Sequence, residues 1–323
     1  MKPSAWTFLA RGAQQLRKHG PRLLWLRYVR RRAILRTPPL LCPDTATLEV
    51  HTQVCARDWL NALWTLKSFS LVTREPFKLF ILCDRTVSEN AILRLLAHFP
   101  EARVIQCEQP SDETRRTFAA RWPGLFALRT NGRFFTLPKV LDSFAHRQSD
   151  MILTIDPDVL FFEDPKELLA DLDPARRYFA RLNQPLKEFD PKGAFSIDAT
   201  RLRELFGLDL PHRFGCGLGS LHYGKIDWDF IERVLTTIPP DPERGFLLDQ
   251  TITLIACLTR GWELLPPERY AIEPVDSLSG VVARHYYSKT RDLLYLQGIP
   301  RLIQLGLLKN DFRFSRQPAI SAG

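Results

Sequence analysis

The chain has 323 residues, 45% of them hydrophobic and 25% charged, which is enough for a sizeable core and excludes a disordered or fibrous chain. The net charge of +9 sits in one place: residues 1–43 hold ten Lys or Arg and no acid, while the remainder carries 35 basic and 36 acidic side chains. A neutral body with no reader motif argues against nucleic acid as a partner, and no apolar run reaches the ~18–20 residues of a membrane span.

In chain order, the basic segment comes first. It mixes its cations with Trp6, Phe8, Leu23, Leu24, Trp25, Leu26 and Tyr28. That mixture suits peripheral contact with an anionic membrane. Projected as one helix at about 100° per residue, however, residues 22–36 spread arginine on every side, so a plain surface helix or a disordered arm stays open. No apolar h-region with a small-residue cleavage site leads the chain, so no secretory signal is expected. The six cysteines are scattered, with no C-x-x-C pair, and read as reduced core residues of an intracellular protein. The expected organisation is a basic arm over 1–44, one domain over 45–310 and a tail over 311–323.

From about residue 46 strands and helices alternate. "LEVHTQVC" (48–55) reads as a strand, "RDWLNALWTLKSFS" (57–70) as a helix and "FKLFILC" (77–83) as a strand. "SENAILRLLAHF" (88–99) reads as a helix capped by Ser88, and "ARVIQC" (102–107) as a third strand. A loop-rich piece through Trp122-Pro123-Gly124 follows, then a helix over 134–146 and a buried strand, "DMILTI" (150–155). Later strands are expected at 177–182, 193–197, 217–224 and 281–287, with helices at 199–206, 227–237 and 248–260. The pattern predicts an α/β fold whose mainly parallel sheet is flanked by helices on both faces.

The fourth strand runs into Asp156-Pro157-Asp158 and out again into Val-Leu-Phe-Phe. In an open α/β sheet, ligands collect at the carboxyl ends of strands. On an extended segment residues i and i+2 project to one side, so the two carboxylates would stand together and repel unless a dication lay between them. A polar turn closing the strand is the plainer reading. The local pattern also resembles the D-x-D-x-[TV] of haloacid-dehalogenase-like phosphatases, with Asp156 as nucleophile. That family opens its domain with this strand, whereas three βα elements precede it here.

A longer set of motifs, from about 48 to 295, resembles the nucleotide-sugar transferases of the GT-A (Rossmann-like) fold, in particular the glycogenin and lipopolysaccharide-galactosyltransferase group. "MILTIDPDVLFFEDPKELL" (151–169) is similar to that group's strand, D-x-D and following helix. "FGCGLGSLHYG" (214–224) is similar to its F-N-x-G strand, "LLDQTITLIACL" (247–258) to its D-Q helix start, and "HYYSKTR" (285–291) to its H-x-x-G-x-x-K. Gly215 replaces the Asn of the pattern, Ser288 the Gly and Arg291 the Lys.

The resemblance implies a glycosyltransferase moving a hexose from a nucleotide-diphosphate sugar to a glycan or glycolipid acceptor. By it, Asp156, Asp158 and His285 would bind Mn²⁺ or Mg²⁺. Lys289 and Arg291 would hold the diphosphate, and Asp249 and Gln250 would lie beside the donor sugar. Arg57, after the first strand, and Arg133 and Lys139, in the helix before the acidic strand, are candidate donor contacts. A bacterial cell-surface product would place the enzyme in the cytoplasm, docked at the inner face of the membrane. A protein that binds nucleotide-sugar without turnover is the other reading.

Overall fold

The computed structural model describes residues 20–170, 179–185, 195–211 and 213–309. Residues 20–28 are a helix (α1) that tightens into a 3-10 turn over Arg30–Arg36. Then come β1 (Leu48–Val54), α2 (Trp59–Thr73), β2 (Phe77–Cys83), α3 (Glu89–His98) and β3 (Arg103–Gln106). The Ser88 hydroxyl accepts the Ala91 N–H and starts α3 as expected.

The stretch expected to be loop-rich instead forms two short helices, α4 (Asp112–Phe118) and α5 (Pro123–Thr130). Ser111 caps the first, and Pro123 opens the second, where its missing N–H costs nothing. The helix expected over 134–146 is interrupted. A 3-10 turn, Leu137–Lys139, contains Pro138, and only Leu141–His146 (α6) is helical beyond it.

β4 (Met151–Ile155), β5 (Val159–Phe161), α7 (Lys166–Ala170), β6 (Phe179–Pro185), α8 (Ala199–Phe206) and β7 (Arg213–His222) follow. Of the strand expected at 193–197, the described residues 195–197 are irregular, and 193–194 lie outside the described residues. The chain continues through α9 (Trp228–Thr237), α10 (Leu248–Arg260), β8 (Trp262–Leu264), β9 (Tyr270–Ala271) and β10 (Ala283–His285). Residues 291–304 are largely helical. No helix among the described residues is long and apolar enough to cross a membrane.

The main sheet has the order β3-β2-β1-β4-β7-β6-β8. The first four strands are parallel, and β7 runs antiparallel to both neighbours. β5, β10 and β9 make a second, small sheet. Strand alternation divides the interior into two cores, one on each face of the main sheet. On β4, Leu153 and Ile155 point into the core with α2, whereas Ile152 points into the one built from α4–α6, α9 and α10.

The basic segment is part of this packing. Leu23, Leu26, Ile34, Leu40 and Cys42 are buried in the first core. The Trp64 indole donates to the Arg31 carbonyl at 2.9 Å, and the Lys67 ammonium donates to the Pro38 carbonyl. In its described part, then, the segment expected as an arm is folded onto the domain. All six cysteines are free thiols, as expected.

Candidate active site

The acidic pair lies where β4 ends. The Asp156 N–H donates to the Gly217 carbonyl on β7 at 2.7 Å, and its own carbonyl accepts the Val159 N–H at 3.1 Å. Asp156–Val159 is therefore a β-turn, not the extended segment expected. Pro157 holds its second position, where a preset φ of about −65° is wanted. The turn, rather than any chemistry, asks for the proline.

Beyond the turn, β5 pairs antiparallel with β10, with Val159 opposite His285, and the Tyr286 N–H donates to the Asp158 carbonyl at 2.9 Å. This register brings to the acidic pair an imidazole that lies 127 residues beyond Asp158 in the chain. His285 Nε2 is 3.2 Å from Asp158 Oδ1 and 3.8 Å from Asp156 Oδ2. The ring lies against the backbone of Gly217: a Cβ there would come within 2.6 Å of His285 Nδ1. Gly217 is thus glycine for space.

Donor atoms of Asp156, Asp158 and His285 all lie within 4.8 Å of one another. Two carboxylates and an imidazole are a donor set that fits a divalent cation of the Mn²⁺ or Mg²⁺ kind. Among the described residues His285 Nδ1 is buried without a hydrogen-bond partner, so the ring's hydrogen-bonding options there lie on its Nε2 side, toward the carboxylates.

The three residues face a cleft of about 320 Å³ at the carboxyl ends of β1 and β4. Lys139 reaches in from the 3-10 turn. Its Nζ is 2.5 Å from Asp156 Oδ1 and 3.6 Å from Asp249 Oδ2, and it donates to the Cys216 carbonyl at 2.9 Å. Arg291 bridges two acids, Nη1 to Asp58 Oδ1 at 2.5 Å and Nη2 to Asp158 Oδ2 at 2.6 Å. Arg57, Asp249 and Gln250 also line the cleft. Of the other two expected contacts, Arg133 sits in an exposed turn and is not among the lining residues. Lys289 belongs to the 3-10 turn Ser288–Thr290, and its side chain lies outside the described residues.

Electrostatics separates the two carboxylates. Burial pushes both up. At Asp156 burial outweighs the pull of Lys139 and His285, so its pKa is raised. At Asp158 the charge and hydrogen bond of His285, with Arg291 and Lys139, outweigh burial and hold it below the usual carboxylate range. Burial lowers Lys139, but Asp156, Cys216 and Asp249 reverse this and raise it, so the side chain is a fixed cation.

Two lining residues had no functional reading in the sequence. Asp58 stands at the start of α2 but makes no cap hydrogen bond; its carboxylate holds Arg57 at 3.0 Å and Arg291. Cys216 points its thiol at Asp249 Oδ2, 3.5 Å away, and burial, followed by Asp249, raises its pKa, so it is a neutral lining group.

With this geometry in place, similarity to solved structures is informative. The chain matches mouse xyloside xylosyltransferase 1, apo form, at TM-score 0.50 and 13% identity, covering 75% of this chain and 98% of that one. It is also similar to the galactosyltransferase LgtC in complex with donor and acceptor sugar analogues (TM-score 0.48, 13% identity, 80% and 95% covered). A third is the bifunctional glycosyltransferase WbbM (0.49, 14%, 83% and 52%), of which this chain spans about half the length. No protein-family model and no curated protein matches the chain. The fold is the GT-A glycosyltransferase fold, as the sequence motifs imply. It is not that of the phosphatase alternative, in which the acidic strand would come first.

Proposed function

We propose that the protein is a metal-dependent glycosyltransferase that moves a hexose from a nucleotide-diphosphate sugar to a hydroxyl of a glycan or glycolipid. The observation that carries this reading is the convergence of Asp156, Asp158 and His285 within 4.8 Å at the floor of a cleft on a GT-A fold. Those three residues would hold Mn²⁺ or Mg²⁺, which when bound supplies positive charge to the leaving diphosphate.

The chain's own residues do the rest. Arg57 and Arg291, both paired with Asp58, offer planar guanidinium donors to phosphate oxygens. Lys139 is tied to Asp156 and Asp249 at once, so it sets the spacing between the metal ligands and the start of α10. Asp249 and Gln250, at that helix start and facing the cleft, are suited to the hydroxyls of the donor sugar. A protein that binds the donor without turning it over remains a second reading. It is favoured by the ion pairs Lys139–Asp156 and Arg291–Asp158, which engage both carboxylates.

The test is a thermal-shift panel of nucleotide-sugars with and without Mn²⁺, followed by product analysis. A true donor at about 100 times its Kd stabilises by about 2.7 kcal/mol. The expected result is stabilisation that needs the metal and disappears in His285→Ala, with slow release of nucleoside diphosphate. Stabilisation without any product supports the binding protein. A panel in which no nucleotide-sugar stabilises overturns both readings.

A further inference from the structure

The basic segment, which the proposed reaction does not use, has two faces. Leu23, Leu26 and Ile34 point into the core. Arg22, Trp25, Tyr28 and Val29, on α1 and at its end, and Arg32 and Arg36, on the 3-10 turn that follows, are exposed. Trp25, Tyr28 and Val29 are 51%, 54% and 56% exposed, and the arginines flank them at both ends. An apolar, aromatic-rich strip between cations, on a segment without a single acid, is complementary to a surface with negative headgroups above an apolar layer.

We propose that this face is a docking surface for an anionic lipid membrane, with Trp25 and Tyr28 seated at the headgroup level and Arg22, Arg32 and Arg36 against the phosphates. A polynucleotide would meet the arginines equally well, but the aliphatic Val29 beside the two aromatics favours an apolar layer over stacked bases. Residues 1–19 continue the same composition, adding four cations, Trp6 and Phe8.

The surface is fastened to the cleft. Arg31 Nη1 donates to Asn61 Oδ1 at 3.1 Å and lies 3.4 Å from the Arg57 carbonyl and from the Tyr295 hydroxyl. Arg27 and Arg31 lie over the Tyr295 ring, at 5.9 and 5.7 Å. Arg57 lines the cleft, and Tyr295 stands one helical turn beyond Arg291. The segment that carries the exposed face is therefore in contact with a residue of the cleft wall. A glycolipid acceptor at that membrane rests on the glycosyltransferase reading; the docking surface does not.

The test uses the full chain and co-sedimentation with vesicles of phosphatidylcholine containing 30% phosphatidylglycerol. The expected result is binding that weakens at least tenfold in Trp25→Ser/Tyr28→Ser and in Arg22→Glu/Arg32→Glu/Arg36→Glu, and that is weak on pure phosphatidylcholine. Arg94→Glu/Arg116→Glu/Arg233→Glu, the same charge change at exposed positions elsewhere, should bind as the parent does. Each variant is checked for an unchanged melting transition. Failure of the parent chain to bind, equal loss in the control, or displacement from vesicles by a single-stranded oligonucleotide at equal charge would overturn the proposal. Donor stabilisation measured on the same variants should be unchanged, so failure of the surface and failure of the transferase reading are seen separately.

Discussion

At the scale of single residues, Gly217 and Arg291 give the sharpest tests. Ala at 217 would force a methyl into the His285 ring. Overpacking of this kind costs about 1–3 kcal/mol, and here the group displaced is a candidate metal ligand. Gly217→Ala should lower the melting temperature and abolish metal-dependent donor stabilisation together. In a His285→Ala background the same substitution should cost little, because the ring that resisted the methyl is gone; a double-mutant cycle in urea reads the coupling. Arg291 is mostly buried between Asp58 and Asp158. Arg291→Ala leaves two buried acids without their shared cation, a loss of about 3 kcal/mol in the metal-free protein. Mn²⁺ alone should restore part of that stability, and less of it in Arg291→Ala/Asp158→Asn. A variant as stable as the parent without metal would show that the bridge is incidental.

At the scale of elements, α2 and α3 are joined to the basic segment through an unusual pair of buried bases. Lys67 on α2 is pulled down to about 8, mainly by burial. His98, ending α3, is pulled to about 4 by burial and then by Lys67 and Arg94. The His98 carbonyl accepts the Leu40 N–H at 2.8 Å. Because folding depresses the His98 pKa from 6.5, the unfolded chain binds the extra proton first as pH falls. The stability held by neutral His98 is complete above pH 6.5 and is lost as pH falls through 4, at about 1.4 kcal/mol per unit. Urea melts at pH 7, 5.5 and 4.5 should show His98→Gln losing less stability than the parent over this window; parallel losses would remove His98 from the account. Elements of this kind were legible where an apolar run was long and continuous: β2 and α10 begin and end where the pattern placed them. α4 and α5 were missed because seven or eight residues hold only two turns; Ser111 caps the first and Pro123 opens the second, and neither was read as a helix start. That Asp156, Asp158 and His285 stand together was legible through ordered motifs. Asp58 was not, because it fell inside the stretch read as a helix and its partner Arg291 lies 233 residues away.

At the scale of the whole molecule, the N-terminal segment decides what can be cut and what must be substituted. A single helix projected over 22–36 had arginine on all sides because it assumed one uniform turn. The chain instead changes from α to 3-10 geometry at Arg30, which rotates Ile34 inward and leaves Arg32 and Arg36 outward. The segment is thus both a wall of the core and an exposed basic face. A chain starting at Leu48 would lose Leu23, Leu26, Ile34, Leu40 and Cys42 from the first core. The larger of these side chains are each worth about 1.5–3 kcal/mol on burial, and together they rival the ~5–15 kcal/mol that holds an ordinary domain folded. It would also uncover Trp64 and Lys67, whose polar groups bond to this segment. The expected outcome is a truncated protein without a cooperative melting transition, whereas a chain starting at Gly20 keeps every contact named here and should melt close to the parent. If the chain from Leu48 melts cooperatively at the parent's temperature, the segment is an accessory and not a wall. Truncation therefore cannot separate membrane docking from folding, and exposed-face substitutions such as Trp25→Ser/Tyr28→Ser can.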